Sequence, residues 1–311
     1  KAGTKNRRVR MCFAHTGMFA QERVLKMIQS VKDCLVVCDV DNTLLSAHGG
    51  LPEVNKLTIE LFMSMGGRFT VATGRTTESV KRQLGQLKIN APAITYGGSV
   101  IYDFEKKIWL QNKVLPQIAA MQALCDIKEA VPGIGIEVMT SDGRLYVVQS
   151  NEYTHHHTVY ERLIYTMSPL GEFSNQWNKV MFAGAPELLT KAQGFVKNRR
   201  YPGLYFVFTD EIYFEMMPQC VSKGSALKEL CEFTGIPLEN TIAIGDYYND
   251  LEMLEAAGYA VAMENAPMKL QAVADEITTR CEDGGVAQVL YGLIRKYGED
   301  PQDRRVRGYF Q

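Results

Sequence analysis

The sequence predicts an α/β fold: a Rossmann-like parallel sheet core into which an α+β domain, made of an antiparallel sheet and helices, is inserted. Three observations predict it. Short apolar runs alternate with segments of helical spacing from residue 35 to about residue 100, the alternation returns after residue 222, and hairpin signals fill the interval between. Strand and helix in alternation imply right-handed crossovers and a parallel sheet, whereas turn residues between strand-like runs imply antiparallel pairing.

Leu35 to Val40 is a continuous apolar run rich in valine, the pattern of a strand buried on both faces. It ends in Asp39-Val40-Asp41-Asn42-Thr43. Leu57, Leu61 and Phe62 give helical spacing to Asn55–Met65, Gly66-Gly67 terminates that helix, and Arg68–Ala72 forms a second strand ending in Thr73-Gly74-Arg75. Thr76–Leu87 reads as a helix and Ala93–Tyr96 as a third short strand of the same alternation. From about Asp103 the rhythm changes. Gly135–Met139 and Leu145–Val148 flank a Ser-Asp-Gly turn, and Leu204–Thr209 and Ile212–Met216 flank Asp210-Glu211. Between them lie a helix after Tyr153, a strand near Val180–Ala183 and a helix over Pro186–Val196. The first rhythm resumes with a helix over Lys223–Thr234, a buried strand Thr241–Gly245 ending at Asp246, and a helix Leu251–Ala257. A strand Tyr259–Met263, a helix Pro267–Ala274 and a last helix Gly285–Tyr297 follow.

The expected organisation is an N-terminal extension over residues 1–32, a core domain from 33–102 and 218–297, an inserted domain over 103–217 and a polar tail over 298–311. The amphipathic stretch Phe19–Val31 is expected to pack as a helix on the core. The basic residues Lys1, Lys5, Arg7, Arg8 and Arg10 read as a solvated flank.

A formal net charge of -1 provides no overall field to attract nucleic acid or an anionic membrane. No apolar run approaches the roughly 18 residues that span a bilayer. Seven scattered cysteines without a C-x-x-C pair suggest neither a disulfide framework nor a zinc site, so a reducing cytoplasm is the expected setting. His155-His156-His157 are neighbours that do not readily converge on one ion from a helix, and they are assigned to the surface or core of the inserted domain. Tyr153, Trp177 and Tyr213 are candidates for a pocket lining or for packing, and aromatics in a hairpin domain favour packing.

Ligands of open parallel sheets bind beyond the carboxyl ends of the strands. Three strands deliver polar clusters there: Asp39 with Asp41, then Thr73, then Asp246 with Asn249 and Asp250. Crowded carboxylates repel unless a cation lies among them, and a few hard oxygen ligands suit Mg2+, which also bridges to phosphate. A carboxylate can attack phosphorus because it is ionised at neutral pH, which makes Asp39 the candidate nucleophile. Asp41 can protonate the leaving oxygen and later deprotonate water. Thr73, Lys223 at a helix start, Asn249 and the backbone amides of Asn42 and Gly74 are candidates to bind the phosphoryl oxygens, while Asp250 orients Lys223 or the metal site from behind. Taken alone, Asp39-x-Asp41-x-Thr43 is a weak signal; its place after a buried strand, with the later threonine, lysine and Gly245-Asp246-x-x-Asn249-Asp250, makes the conjunction strong.

From Leu35 to Leu290 these segments resemble the haloacid dehalogenase superfamily, specifically its Cof-type phosphatases with a C2-type (type IIB) α/β cap. The matching stretches are Val37–Leu45, Val71–Arg75, Val221–Leu227 and Ile244–Asp250, and Met263-Glu264-Asn265-Ala266 resembles a further stretch. The resemblance implies that Asp39 is nucleophile and metal ligand, that Asp41 is the acid/base with its backbone carbonyl on the metal, and that Asp246 completes the protein ligands. It implies that Thr73 and Lys223 hold the phosphate. Asn42 stands where the family most often has glycine, a change that asparagine's tolerance of left-handed geometry permits. Tyr96-Gly97-Gly98 replaces the usual asparagine-glycine-alanine, so the substrate side of the pocket is expected to differ. The expected partner is a small phosphorylated metabolite such as a sugar phosphate, with no nucleic acid or membrane. The same chemistry would serve a phosphomutase, and a non-catalytic phosphate- or metal-binding module is a further alternative. A signalling receiver shares the residue types, but there the lysine follows the threonine within one compact domain, whereas here Lys223 precedes Asp246 across a large insertion. Oligomeric state leaves no trace in the sequence.

Overall fold

A computed structural model describes residues 28–46, 50–85, 87–160, 162–170, 172–173 and 176–298. The expected helix over Phe19–Val31 falls almost wholly outside the described residues, as does the polar tail. In chain order the elements are β1 (Leu35–Cys38), α1 (Glu53–Ser64), β2 (Arg68–Val71), α2 (Thr77–Leu84), β3 (Ala93–Thr95), β4 (Val100–Asp103), β5 (Ile108–Asn112), α3 (Gln117–Ala130), β6 (Gly135–Thr140), β7 (Leu145–Gln149) and α4 (Glu152–Tyr160). They continue with β8 (Tyr165–Met167), β9 (Trp177–Ala183), α5 (Pro186–Lys197), β10 (Leu204–Asp210), β11 (Tyr213–Pro218), α6 (Lys223–Thr234) and β12 (Thr241–Gly245). The last are α7 (Leu251–Ala256), β13 (Tyr259–Met263), α8 (Met268–Gln271), β14 (Glu276–Thr278) and α9 (Gly285–Tyr297).

The described residues form two compact units, one of residues 28–71, 89–91 and 227–298, the other of 72–88 and 92–226. The block 103–217 lies wholly in the second unit; with it go 72–88, 92–102 and 218–226, which the sequence pattern assigned to the core. The reason is visible in packing, because Tyr96 and Val100 share an apolar cluster with Met139, Leu145, Met181 and Ala183.

The first unit contains a parallel sheet in the order β14-β13-β12-β1-β2. All four residues of β1 are fully buried, as a strand covered on both faces requires. The chain passes from β1 to β2 on one side and from β12 to β13 and β14 on the other, so the order reverses between β1 and β12. Their carboxyl ends form the switch-point crevice in which such sheets hold ligands. Helices α1 and α9 pack on each other, and Ile59 and Phe62 of the first and Val286, Leu290 and Ile294 of the second are buried. Buried Asn55 ties them: its Oδ1 accepts from the Ala287 amide at 3.0 Å.

The second unit holds a six-stranded sheet, β10-β11-β9-β6-β7-β8, antiparallel except for the β7–β8 pair, and a three-stranded antiparallel sheet β3-β4-β5. The larger sheet has two unlike faces. Ile136, Val138, Val180, Phe182, Phe214 and Met216 pack with Ala123, Leu124 and Ile127 of α3 and Leu189 and Ala192 of α5. The alternate residues Glu137, Lys179, Met181 and Glu215 point the other way. Trp177 belongs to the first of these cores, and Tyr153 and Tyr213 pack against the cluster around Tyr96 and Met181.

One expectation is corrected. β3 does not extend the parallel sheet, to which the alternation assigned it; Ala93, Ile94 and Thr95 pair antiparallel with Tyr102, Ile101 and Val100, and one parallel bridge joins Ala72 to Ile94. The chain reverses at Tyr96, Gly97 and Gly98, all three at positive φ (52, 67 and 110°), which returns it along β3 as a hairpin. The hairpin rhythm therefore begins before Asp103. The helix expected over Pro267–Ala274 is a single turn, and α3, β4, β5, β8 and β14 are elements the sequence pattern does not predict.

Candidate active site

The end of β1 and the end of β12 are joined by one further ladder bond, from the Asp39 amide to the Ile244 carbonyl at 2.8 Å. That bond places the first residue after each strand at the same edge. Asp39, Asp246 and Asp250 each offer a carboxylate oxygen, these oxygens all lie within 4.8 Å of one another, and all three residues are buried. Each pair of such charges repels by on the order of 3 kcal/mol at an effective dielectric constant of about 20. A buried, all-oxygen, threefold anionic set fits a hard divalent cation, which would remove that repulsion.

The loops around the cluster are specified locally. Asp250 Oδ2 accepts from the amides of Asp246 at 3.0 Å and Tyr247 at 3.2 Å, closing the turn that follows β12. Gly245 is needed there, because a Cβ at that position would lie 2.6 Å from the Asp250 carboxyl. Both oxygens of Asp246 are engaged: Thr43 Oγ1 donates to Oδ1 at 3.1 Å and Asn265 Nδ2 to Oδ2 at 3.0 Å. After β1 the chain makes a compact turn, with the amides of Leu44 and Leu45 donating to the Val40 carbonyl at 3.0 and 2.8 Å. Asn42 sits in that turn at φ 59°, the left-handed region its amide side chain tolerates, and is exposed. Beneath it, Cys281 donates to the Leu44 carbonyl at 3.3 Å; burial, reinforced by Glu282 and Asp246, pushes this thiol up to about 12 and keeps it protonated. Asp41 is half-buried, bridges to Leu45 through its backbone and is not one of the three clustered carboxylates. Asn249 is half-buried in the short turn Tyr248–Asp250.

Thr73, Gly74 and Lys223 all lie in the second unit. The Thr73 amide donates to Ile94 O and its carbonyl accepts from Gly97, both at 2.9 Å, while the Tyr96 amide donates to Arg75 O at 2.9 Å. The Thr73–Arg75 loop is thus laid along Tyr96–Gly98. Gly98 in turn abuts the start of α6: a Cβ there would stand 2.3 Å from Ser222 O and 3.1 Å from the Lys223 nitrogen. Ser222 and Ser225 exchange side-chain-to-amide bonds at 3.1 and 3.0 Å, a reciprocal cap that sets Lys223 as the first helical residue. Thr73 and Lys223 are both about 1% exposed. Tyr96 keeps a left-handed backbone, as the asparagine it replaces would favour, and sends its ring into the apolar cluster with Met139 and Met181.

Sequence reasoning missed four polar residues. Thr43 and Asn265 lay in quoted motifs without an assigned role. Lys179 and Glu215 form a buried pair, Nζ to Oε1 at 2.7 Å, and Nζ also donates to Gly74 O at 2.8 Å. Their only signal was a single charged residue in each of two strands rich in apolar residues. The histidine run divides as assigned, with His155 and His156 exposed and His157 buried, its Nδ1 2.7 Å from Glu137 Oε2. Among the described residues, no histidine joins a metal-competent group.

Comparison with known proteins follows the same segments. Residues 36–290 match the family model of the haloacid dehalogenase-like hydrolases. The phosphatase YwpJ of Bacillus subtilis is 27% identical over 284 residues, covering 84% of this chain and 99% of its own. The pyridoxal phosphate phosphatase YbhA of Escherichia coli is 27% identical over 270 residues, covering 84% and 98%. The crystal structure of TM0651 from Thermotoga maritima superposes with a TM-score of 0.71 at 28% identity, covering 83% of this chain and 97% of that one. A match that spans both arms of the parallel sheet and the whole insertion is not a shared fragment: the chain belongs to the haloacid dehalogenase-like hydrolase family.

Proposed function

We propose that this protein is a magnesium-dependent phosphatase that hydrolyses a small phosphate monoester through an aspartyl-phosphate on Asp39. The observation that carries the reading is the meeting of the Asp39, Asp246 and Asp250 carboxylates at the switch point of the parallel sheet. Asp39, Asp246 and the backbone carbonyl of Asp41 would hold the ion, which when bound neutralises the crowded carboxylates and draws charge from the phosphoryl oxygens. In this reading the backbone carbonyl of Asp41 is a ligand of the ion and its side chain is the proton carrier.

In the first half-reaction an Asp39 carboxylate oxygen bonds to phosphorus as the ester P–O bond breaks, and Asp41 gives its proton to the departing oxygen. In the second, Asp41 takes a proton from water as the water oxygen bonds to phosphorus, releasing inorganic phosphate and regenerating the Asp39 carboxylate. Thr73, Lys223, Asn249 and the amides of Gly74 and Asn42 are the proposed donors to the phosphoryl oxygens. Asp250 acts from behind through the amides of Asp246 and Tyr247. We also propose the assignment of 33–102 and 218–297 as catalytic core and 103–217 as specificity cap. A reducing cytoplasm is the proposed setting, supported by six described cysteines that are outside any disulfide; no described helix is long and apolar enough to cross a membrane.

The test is a screen of phosphorylated metabolites, with sugar phosphates and pyridoxal phosphate in the panel, assayed with magnesium for released phosphate. Wild type is expected to turn over at least one monoester, and Asp39→Asn, isosteric but not nucleophilic, none while retaining its circular dichroism. Undiminished hydrolysis of an aryl phosphate by Asp39→Asn rejects the mechanism, and an isomeric sugar phosphate in place of inorganic phosphate identifies a mutase.

A further inference from the structure

We propose that Lys179, held by Glu215, is a positioning residue that orients the phosphate-binding loop Thr73-Gly74-Arg75; this rests on the phosphatase reading of Thr73 and Gly74. The three carbonyls of that loop are each satisfied from a different place. Thr73 O accepts from the Gly97 amide and Arg75 O from the Tyr96 amide, each at 2.9 Å, so both are fixed by the adjoining backbone. The middle one, Gly74 O, accepts from Lys179 Nζ at 2.8 Å, a side chain 105 residues away on β9.

The Gly74–Arg75 peptide is thereby held at both ends, since its N–H, on Arg75, donates to Thr73 Oγ1 at 3.1 Å. A hydroxyl that accepts this bond keeps its own proton free to donate elsewhere, and the orientation of the peptide decides which way that proton faces. Glycine has no Cβ to resist a peptide flip. An external donor on its carbonyl therefore does what the local chain does not. The lysine is equally constrained: it is 2% exposed, and its charge is matched by Glu215 Oε1 at 2.7 Å, itself on the neighbouring strand β11 and 4% exposed. Glu215 faces Met181 across the strand pair, and Lys179 lies two residues along β9 on the same side of the sheet. A rigid sheet thus carries an ammonium fixed on one carbonyl, in the same compact unit as the loop it orients.

The alternative is that the pair only balances charge. Two variants separate these. Lys179→Met leaves Glu215 buried without its counter-charge, whereas Lys179→Met/Glu215→Met replaces both by side chains of similar volume, a change that buried ion pairs often tolerate. If Lys179 orients the loop, both variants lose kcat/KM by roughly 10²-fold, the scale of a small misplacement at a reacting centre. Both are also inhibited more weakly by inorganic phosphate and exchange the amides of residues 72–76 faster. The double variant recovers thermal stability without recovering activity, and it decides the question even if the single variant fails to fold. Wild-type kcat/KM, phosphate inhibition and exchange in the double variant overturn the proposal. Faster exchange at 72–76 in both variants, in a protein whose wild type hydrolyses no phosphate ester, supports the tether and rejects the phosphatase reading instead.

Discussion

Asp39 and Asp41 lie two positions apart, yet the chain gives them different surroundings. Asp39 extends the β1–β12 ladder and is 6% exposed, while Asp41 starts the turn that follows and is half-buried. That difference suits the separate roles proposed for them, nucleophile and proton carrier. Asp41→Asn is expected to slow hydrolysis by roughly 10²–10⁴-fold, the usual worth of a positioned acid or base. Because a good leaving group needs little protonation, the loss in kcat/KM should be smaller for an aryl phosphate than for an alkyl phosphate; equal losses would remove Asp41 from the acid role. At this scale the three carboxylates were legible because each follows a strand signal. The bonds from Thr43 and Asn265 to Asp246 were not, since they join positions 203 and 19 residues apart whose meeting depends on the sheet order. Lys179 was less legible still. A lone lysine in a strand is ordinarily a solvated charge, and only the cross-strand neighbour Glu215 and the loop carbonyl reveal otherwise.

The elements read most clearly where periodicity and end signals agreed. β12, β13, α6 and α9 have the expected ends, each a strand or helix bounded by glycine, serine or acidic residues. β3 was misplaced because a three-residue strand after a helix looks alike whether it continues a parallel sheet or opens a hairpin. What decides is the backbone at Tyr96, Gly97 and Gly98, and tyrosine at positive φ is not a residue type that announces such a turn. The end of β12 offers a sharper test of element geometry. Gly245→Ala places a methyl 2.6 Å from the Asp250 carboxyl and must displace the side chain that caps the Asp246 and Tyr247 amides. A cost of about 1–3 kcal/mol in chemical denaturation is expected, the range of an overpacked site, together with weakened magnesium binding. Unchanged metal affinity at reduced stability would show that the turn is structural and does not shape the carboxylate set.

At the scale of the molecule, the division into two compact units separates the two kinds of candidate chemistry. The clustered carboxylates belong to the unit of the parallel sheet, whereas Thr73, Gly74 and Lys223 belong to the other. The sequence shows two rhythms but not this partition, because the partition is set by the burial of Tyr96 and Val100 against β6 and β9 rather than by any local signal. It has a thermodynamic consequence. A divalent ion that binds only the folded carboxylate cluster stabilises by about 2.7 kcal/mol at a hundredfold excess over its Kd, and the stabilisation originates in the first unit. Both tryptophans, Trp109 and Trp177, lie in the second. Magnesium should therefore raise the unfolding midpoint read by amide exchange in β1 and β12 by more than the midpoint read by tryptophan fluorescence, and a chelator should reverse the rise. Asp246→Asn should abolish the difference, since it removes one of the three charges that the ion compensates. Identical midpoints with and without magnesium, or an undiminished rise in Asp246→Asn, would mean that the buried carboxylates do not hold the ion, and the argument from their mutual repulsion would fail with them.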